Sequence, residues 1–157
     1  MATYNNLGSL FAAIKGAARE ALQNEVYEKV KSVEENHISS DVYGAYSPTM
    51  YERRGAGGGL LADENIIGEM VSDDTLSVRN TASPSPSVLG TAYSPSSDTT
   101  FAGWIENGEV NNIFNGTDAP WTEPRPFTQN TVEELQQTKE HVQALKAGLR
   151  ARGISCK

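Results

Sequence analysis

The feature that most constrains this chain is an apolar repeat that begins after Gly8 and runs to His37. Leu10, Ile14, Ala17 or Ala18, Ala21, Val26, Val30 and Val33 recur at steps of three to five residues. Side chains three and four apart lie on one side of an α-helix, so the repeat predicts one long helix with an apolar stripe. Lys15, Arg19, Glu25, Glu28 and Glu35 fall largely on its other faces. At 1.5 Å per residue a helix of about 28 residues is about 42 Å long. It either spans the whole body or offers part of its stripe to another subunit.

A second helical pattern closes the sequence, in TVEELQQTKEHVQALKAGLRARGIS. Thr131 followed by Glu134 fits a capping box, and Val132, Leu135, Val142, Leu145 and Leu149 carry the helical period. Glu133 and Glu134 near the start, and Lys146, Arg150 and Arg152 near the end, suit the helix dipole. Gly153 is the expected stop, because glycine enters the left-handed region without a Cβ clash.

Between these helices the pattern shifts. Residues 64–71 (ENIIGEMV) and 75–82 (TLSVRNTA) read as short strands around a Ser-Asp-Asp turn, and residues 101–108 (FAGWIENG) as a third strand ending in a turn at Glu106, Asn107 and Gly108. The expected fold is α+β, with a long N-terminal helix and a C-terminal helix packed on a small antiparallel sheet, and with extended loops. A length of 157 residues accommodates a single domain, residues 1–157. Its hydrophobic fraction of 38% is low, so some of the chain stays outside the core. Residues 81–100 are rich in Ser and Pro and read as a flexible insertion, or as an assembly arm anchored by Val88, Leu89 and Tyr93. Residues 112–126, with Trp121, read as an irregular wrap before the last helix.

Several function classes drop out on composition. The net charge of −7 argues against nonspecific coating of nucleic acid, which requires a dense positive face. Cys156 is the one cysteine, so no intrachain disulfide and no compact zinc set is expected, and the chain suits a reducing compartment such as cytoplasm. No apolar run approaches the roughly 20 residues that cross a bilayer. Only His37 and His141 titrate near neutrality, both in helical patterns, with no placed nucleophile beside them. Asp63, Asp73 and Asp74 lack the alternating oxygen donors of a calcium loop and suit the start of a structured segment and a turn. Neither catalysis, nor a cofactor, nor a metal is expected.

The densest local feature is YGAYSPTMYERR, residues 43–54, followed by a glycine run. Gly57, Gly58 and Gly59 lack the Lys-Ser/Thr of a phosphate loop, and suit a tight turn before Leu60 and Leu61 enter the core. Tyr43, Tyr46 and Tyr51 offer large contact areas with polar tips, Pro48 fixes part of a turn, and Arg53 and Arg54 offer forked donors. Packed within one subunit, these side chains close its core. Packed across two, they form an assembly seam.

The stretch DVYGAYSPTMYERR followed by GGGLLADENI, and later RPFTQNTVEELQQTKEHVQALKAGLRARGI, resembles the neck and tail-completion (head–tail connector) proteins of long-tailed bacteriophages. With the opening helix, the resemblance covers most of the chain outside the Ser/Pro-rich insertion. It implies a non-enzymatic virion subunit that forms or completes a ring between the connector or head-closure protein and the tail terminator or tail tube. Genomic DNA would pass through the lumen without sequence-specific binding, and no membrane would be involved. Assembly in the host cytoplasm would precede a final place in the virion neck. The motif positions are Tyr43, Tyr46, Pro48, Tyr51, Arg53, Arg54, Gly59, Leu60, Asp63, Arg125, Pro126 and Phe127, with interface or architectural roles. Alternatives are a tail terminator or minor capsid-associated protein, and, in a different class, a small ligand-binding module or enzyme.

Overall fold

The computed structural model describes residues 6–45, 47, 57–83, 101–108 and 123–156. The N-terminal pattern forms a helical run from Leu7 to Tyr43, made of α1 (Leu7–Ala21), a π-helical turn (Leu22–Val26), α2 (Tyr27–His37) and a second π-helical segment (Ile38–Tyr43). Asn6 caps it, its side-chain oxygen accepting from Ser9 N at 2.8 Å. The first π segment has a trace in the sequence. Ala21 to Val26 is a five-residue step between buried apolar side chains. A wide i→i+5 turn absorbs the extra residue and returns the stripe to the core face.

Strands β1 (Ile66–Met70) and β2 (Leu76–Asn80) pair around the expected Ser-Asp-Asp turn, and a short 3-10 turn (Asp63–Asn65) leads into β1. The expected third strand is instead a helix, α3 (Phe101–Asn107). Its alternation of Phe101, Gly103 and Ile105 imitates a strand, but Ala102, Trp104 and Ile105 are the buried residues. Phe101 and Trp104, one helical turn apart, stack edge to face with ring centroids 6.4 Å apart. Gly108, at φ 68°, ends the turn in the left-handed region.

The C-terminal pattern forms two helices, α4 (Phe127–Thr138) and α5 (Glu140–Ala151), broken at Lys139, whose φ of 58° is left-handed. The expected capping box is not used. Thr131 lies inside α4, buried, with its hydroxyl donating to Phe127 O at 2.8 Å. The N-terminus of α4 is capped from elsewhere: the Glu106 carboxylate accepts from Thr128 N and Gln129 N, each at 3.0 Å. Gly153 stops α5 at φ 81°.

The described residues belong to two compact units. One comprises residues 1–33, 68–78 and 133–157. In it α1 and its π turn pack on α5. Lys29 meets Glu140 at one end of α5 (3.1 Å), while Arg152 at the other end reaches Glu20 and Glu25 (both 3.0 Å), so α5 runs antiparallel to the first helix. Gly148 sets the approach: a Cβ there would lie 2.8 Å from Ala21 Cβ and 2.6 Å from Glu25 Oε2. The second unit comprises residues 34–67 and 79–132. Its core holds Ile38, Val42, Leu60, Ile66, Trp104, Ile105 and Phe127. Among the described residues, no helix is long and apolar enough to cross a membrane.

Candidate functional site

Within the second unit, the two motifs that carry the resemblance come together. The π segment Ile38–Tyr43 contains Asp41, Val42 and Tyr43, and Arg125 and Pro126 lead into α4, whose first residue is Phe127. Pro126 makes a tight three-residue turn, with Phe127 N donating to Arg125 O at 2.8 Å, and Asn130 N then donates to Pro126 O at 2.8 Å to open the helix. This turn sends Phe127 inward, where it is fully buried. It leaves the Arg125 guanidinium to donate to Val42 O at 3.2 Å, while Arg125 N donates to Ile105 O at 3.0 Å.

Asp41 is the hub. Its Oδ2 accepts from Asn130 Nδ2 at 2.9 Å and lies 2.8 Å from His37 Nδ1, and its Oδ1 accepts from Ser40 Oγ at 2.6 Å. Burial alone would raise the Asp41 carboxyl, but the hydrogen bonds from Asn130, Ser40 and His37 outweigh it and hold the group below the ordinary aspartate range. The carboxylate is therefore ionised at neutral pH, and His37 Nδ1 is the donor in their contact. A Ser, an Asp and a His thus lie together, but the geometry is not a relay. Ser40 donates to Asp41 and not to the imidazole, whereas a nucleophile must face the base. The arrangement fixes backbone from residues 37–43 to residues 125–130.

Beside this hub the chain after the glycine run is also held from within. Gly58, at φ 86°, makes the tight turn expected there. The carbonyl of Gly59, which is buried, accepts from Asn65 Nδ2 at 2.8 Å, and that of Leu60 accepts from Asn80 Nδ2 at 2.8 Å. Asn80 also hydrogen-bonds Glu34, a buried carboxyl pushed up to about 7 by burial, with Glu106 and Glu35 adding repulsion and the Asn80 contact opposing it.

The sequence-derived positions therefore divide. Tyr43 is half-buried and Arg125 lies at the junction, while Gly59, Leu60 and Phe127 are buried. Asp63 is exposed at the start of the 3-10 turn. Tyr46, Pro48, Tyr51, Arg53 and Arg54 lie outside the described residues, as do residues 84–100 of the insertion and Trp121. Sequence reasoning missed Asp41, Asn130, Glu34, Asn80 and Glu106. Only the His37–Asp41 spacing, one helical turn, left a local signal.

No group of three or more His, Cys, Asp or Glu side chains that could hold a metal ion occurs among the described residues. No curated protein and no solved structure matches the chain. The model of the YomN family does match it, over residues 6–151. The chain belongs to the YomN family, a phage protein family with a general structural or accessory role.

Proposed function

We propose that this chain is a structural subunit of the phage head–tail connection, which forms or completes a neck ring through which the genome passes. The observation that carries this reading is the junction of Asp41 and Val42 with Asn130 and Arg125, 83 to 89 residues apart in sequence and joined at 2.9 to 3.2 Å. The two motifs of the resemblance thereby act as one rigid platform. From it the chain departs toward residues 46–54, with Tyr46, Pro48, Tyr51, Arg53 and Arg54. These side chains have the chemistry of an interface: broad aromatic area with polar tips, and guanidinium forks for carboxylates or carbonyls.

In this reading the chain assembles as a homo-oligomeric ring, with the connector or head-closure protein on one side and the tail terminator or tail tube on the other. Its net charge of −7 suits a passage on which DNA does not adhere. The reading is tested by phage production without this protein. The expected result is DNA-filled heads and complete free tails that do not join. Rescue by the intact chain, with poor rescue by Arg53→Ala/Arg54→Ala that fold normally, places those arginines in the contact. Joined particles at ordinary yield, or tails of uncontrolled length, contradict the neck assignment, the latter in favour of a tail terminator.

A further inference from the structure

Among the described residues, Glu34 is the one charged side chain that is buried, at 4% exposure. It lies in α2 without a cation beside it. The charges that act on it are Glu106 of α3 and Glu35 of its own helix, both negative, and its side-chain hydrogen bond is to the neutral amide of Asn80. Glu106 is fixed in place, because its carboxylate accepts from Thr128 N and Gln129 N at 3.0 Å each. A buried carboxyl among like charges keeps its proton to a higher pH than one in water, and that of Glu34 is held up to about 7.

Asn80 ties this carboxyl to a corner of the second unit. It ends β2, donates to Leu60 O at 2.8 Å and accepts from Ala82 N at 3.1 Å. Asn65 completes the corner. Its Nδ2 donates to Gly59 O at 2.8 Å, and its carbonyl accepts from Thr81 N at 2.6 Å and from Thr81 Oγ1 at 3.1 Å. Residues 59–62 and 81–82 belong to no helix or ladder, so bonds to these two asparagines hold them in place of regular structure. Segments held by a few isolated bonds open at a lower free energy than the helices around them.

From this arrangement we infer that Glu34 is a proton-operated latch on the corner formed by residues 59–62 and 80–82. With its proton on, the side chain stays inside against Asn80, and the corner is closed. With the proton released to solvent, the carboxylate cannot be left among Glu106 and Glu35 without water, so it leaves Asn80 and the corner opens while α3 and α4 stay folded. Gly59 and Leu60 are positions of the phage motif, so the latch acts where that motif enters the core. The inference does not depend on the neck assignment, and its test is made on the isolated protein.

Amide hydrogen exchange on the full chain, followed by NMR from pH 5 to pH 8, provides that test, with each rate corrected for the pH dependence of exchange in an unstructured peptide. The amides of Ala62, Thr81 and Ala82 report on the corner, since they donate to Gly59 O, Asn65 O and Asn80 Oδ1. Their protection is expected to fall at least about tenfold over this range, and to change little between 0 and about 1 M urea, because a local opening exposes little surface. Glu34→Gln has the shape of the protonated acid and no proton to lose. In it the same amides are expected to keep their protection within about twofold from pH 5 to pH 8. Protection that does not change with pH in the original chain, or that falls as far in Glu34→Gln, overturns the inference. So does a loss at these amides that grows with urea in step with the amides of α4, because the whole unit then opens and not the corner.

Discussion

Asp41 and Glu34 use the same residue chemistry in opposite ways. Asp41 gathers three donors and stays ionised, so its contribution to stability is present above the unfolded-state value of 3.8 and is lost as pH falls through its lower folded value. Removing the hub with Asp41→Ala strands Asn130 and His37, and is expected to lower unfolding free energy by about 2 kcal/mol in urea denaturation at pH 7. Glu34 is buried, and its folded value lies near 7 against 4.5 in the unfolded chain. The folded state therefore holds this proton where the unfolded state has lost it. The stabilisation is complete below pH 4.5 and disappears as pH rises to about 7, a change of roughly 3 kcal/mol at most. Glu34→Gln is expected to unfold at higher urea than the original at pH 8 and at a similar concentration at pH 4. Equal gains at both values would show that the carboxyl does not titrate in this way.

Among the elements, Gly16 and Gly148 of the first unit's helix pair test packing against propensity. Gly148 lies where α5 meets Ala21 and Glu25, and Gly148→Ala is expected to cost about 2 kcal/mol in thermal or urea unfolding through overpacking. Gly16 has nothing within 4 Å of a built Cβ, so Gly16→Ala is expected to gain up to about 1 kcal/mol from helix propensity alone. The elements also show what the sequence could and could not reveal. Both long helical patterns and the β1–β2 hairpin were legible, because each repeats a local period over enough residues to outweigh chance. The five-residue step at Ala21–Val26 coincides with the first π turn as well. Residues 101–108 misled because a seven-residue helix contains fewer than two turns of pattern, so its alternate apolar residues could be counted in either period. The start of α4 misled for another reason. Its cap is Glu106, about 20 residues away, and a tertiary cap leaves no signature beside the helix. At the candidate site, the chemistry of residues 43–54 was visible from residue types, whereas the Asp41–Asn130 bond, which spans 89 residues, was set by the fold.

At the scale of the whole molecule, structure and charge fit a protein whose work is assembly. One unit is neutral by count and exposes an apolar stripe on α1, and the other carries the net negative charge and the junction of the two phage motifs. YomN membership over residues 6–151 gives that chemistry a phage setting. We propose that this setting is the neck. The measurement that tests it most directly is a reconstruction of the intact virion by electron cryomicroscopy, without imposed symmetry at the head–tail joint, with density fitted by both units. The expected result is a ring of copies of this chain between connector and tail tube, with Tyr51, Arg53 and Arg54 at protein contacts and the lumen free of a dense basic lining. The chain located at the capsid surface or at the far end of the tail, or absent from finished particles, would contradict it.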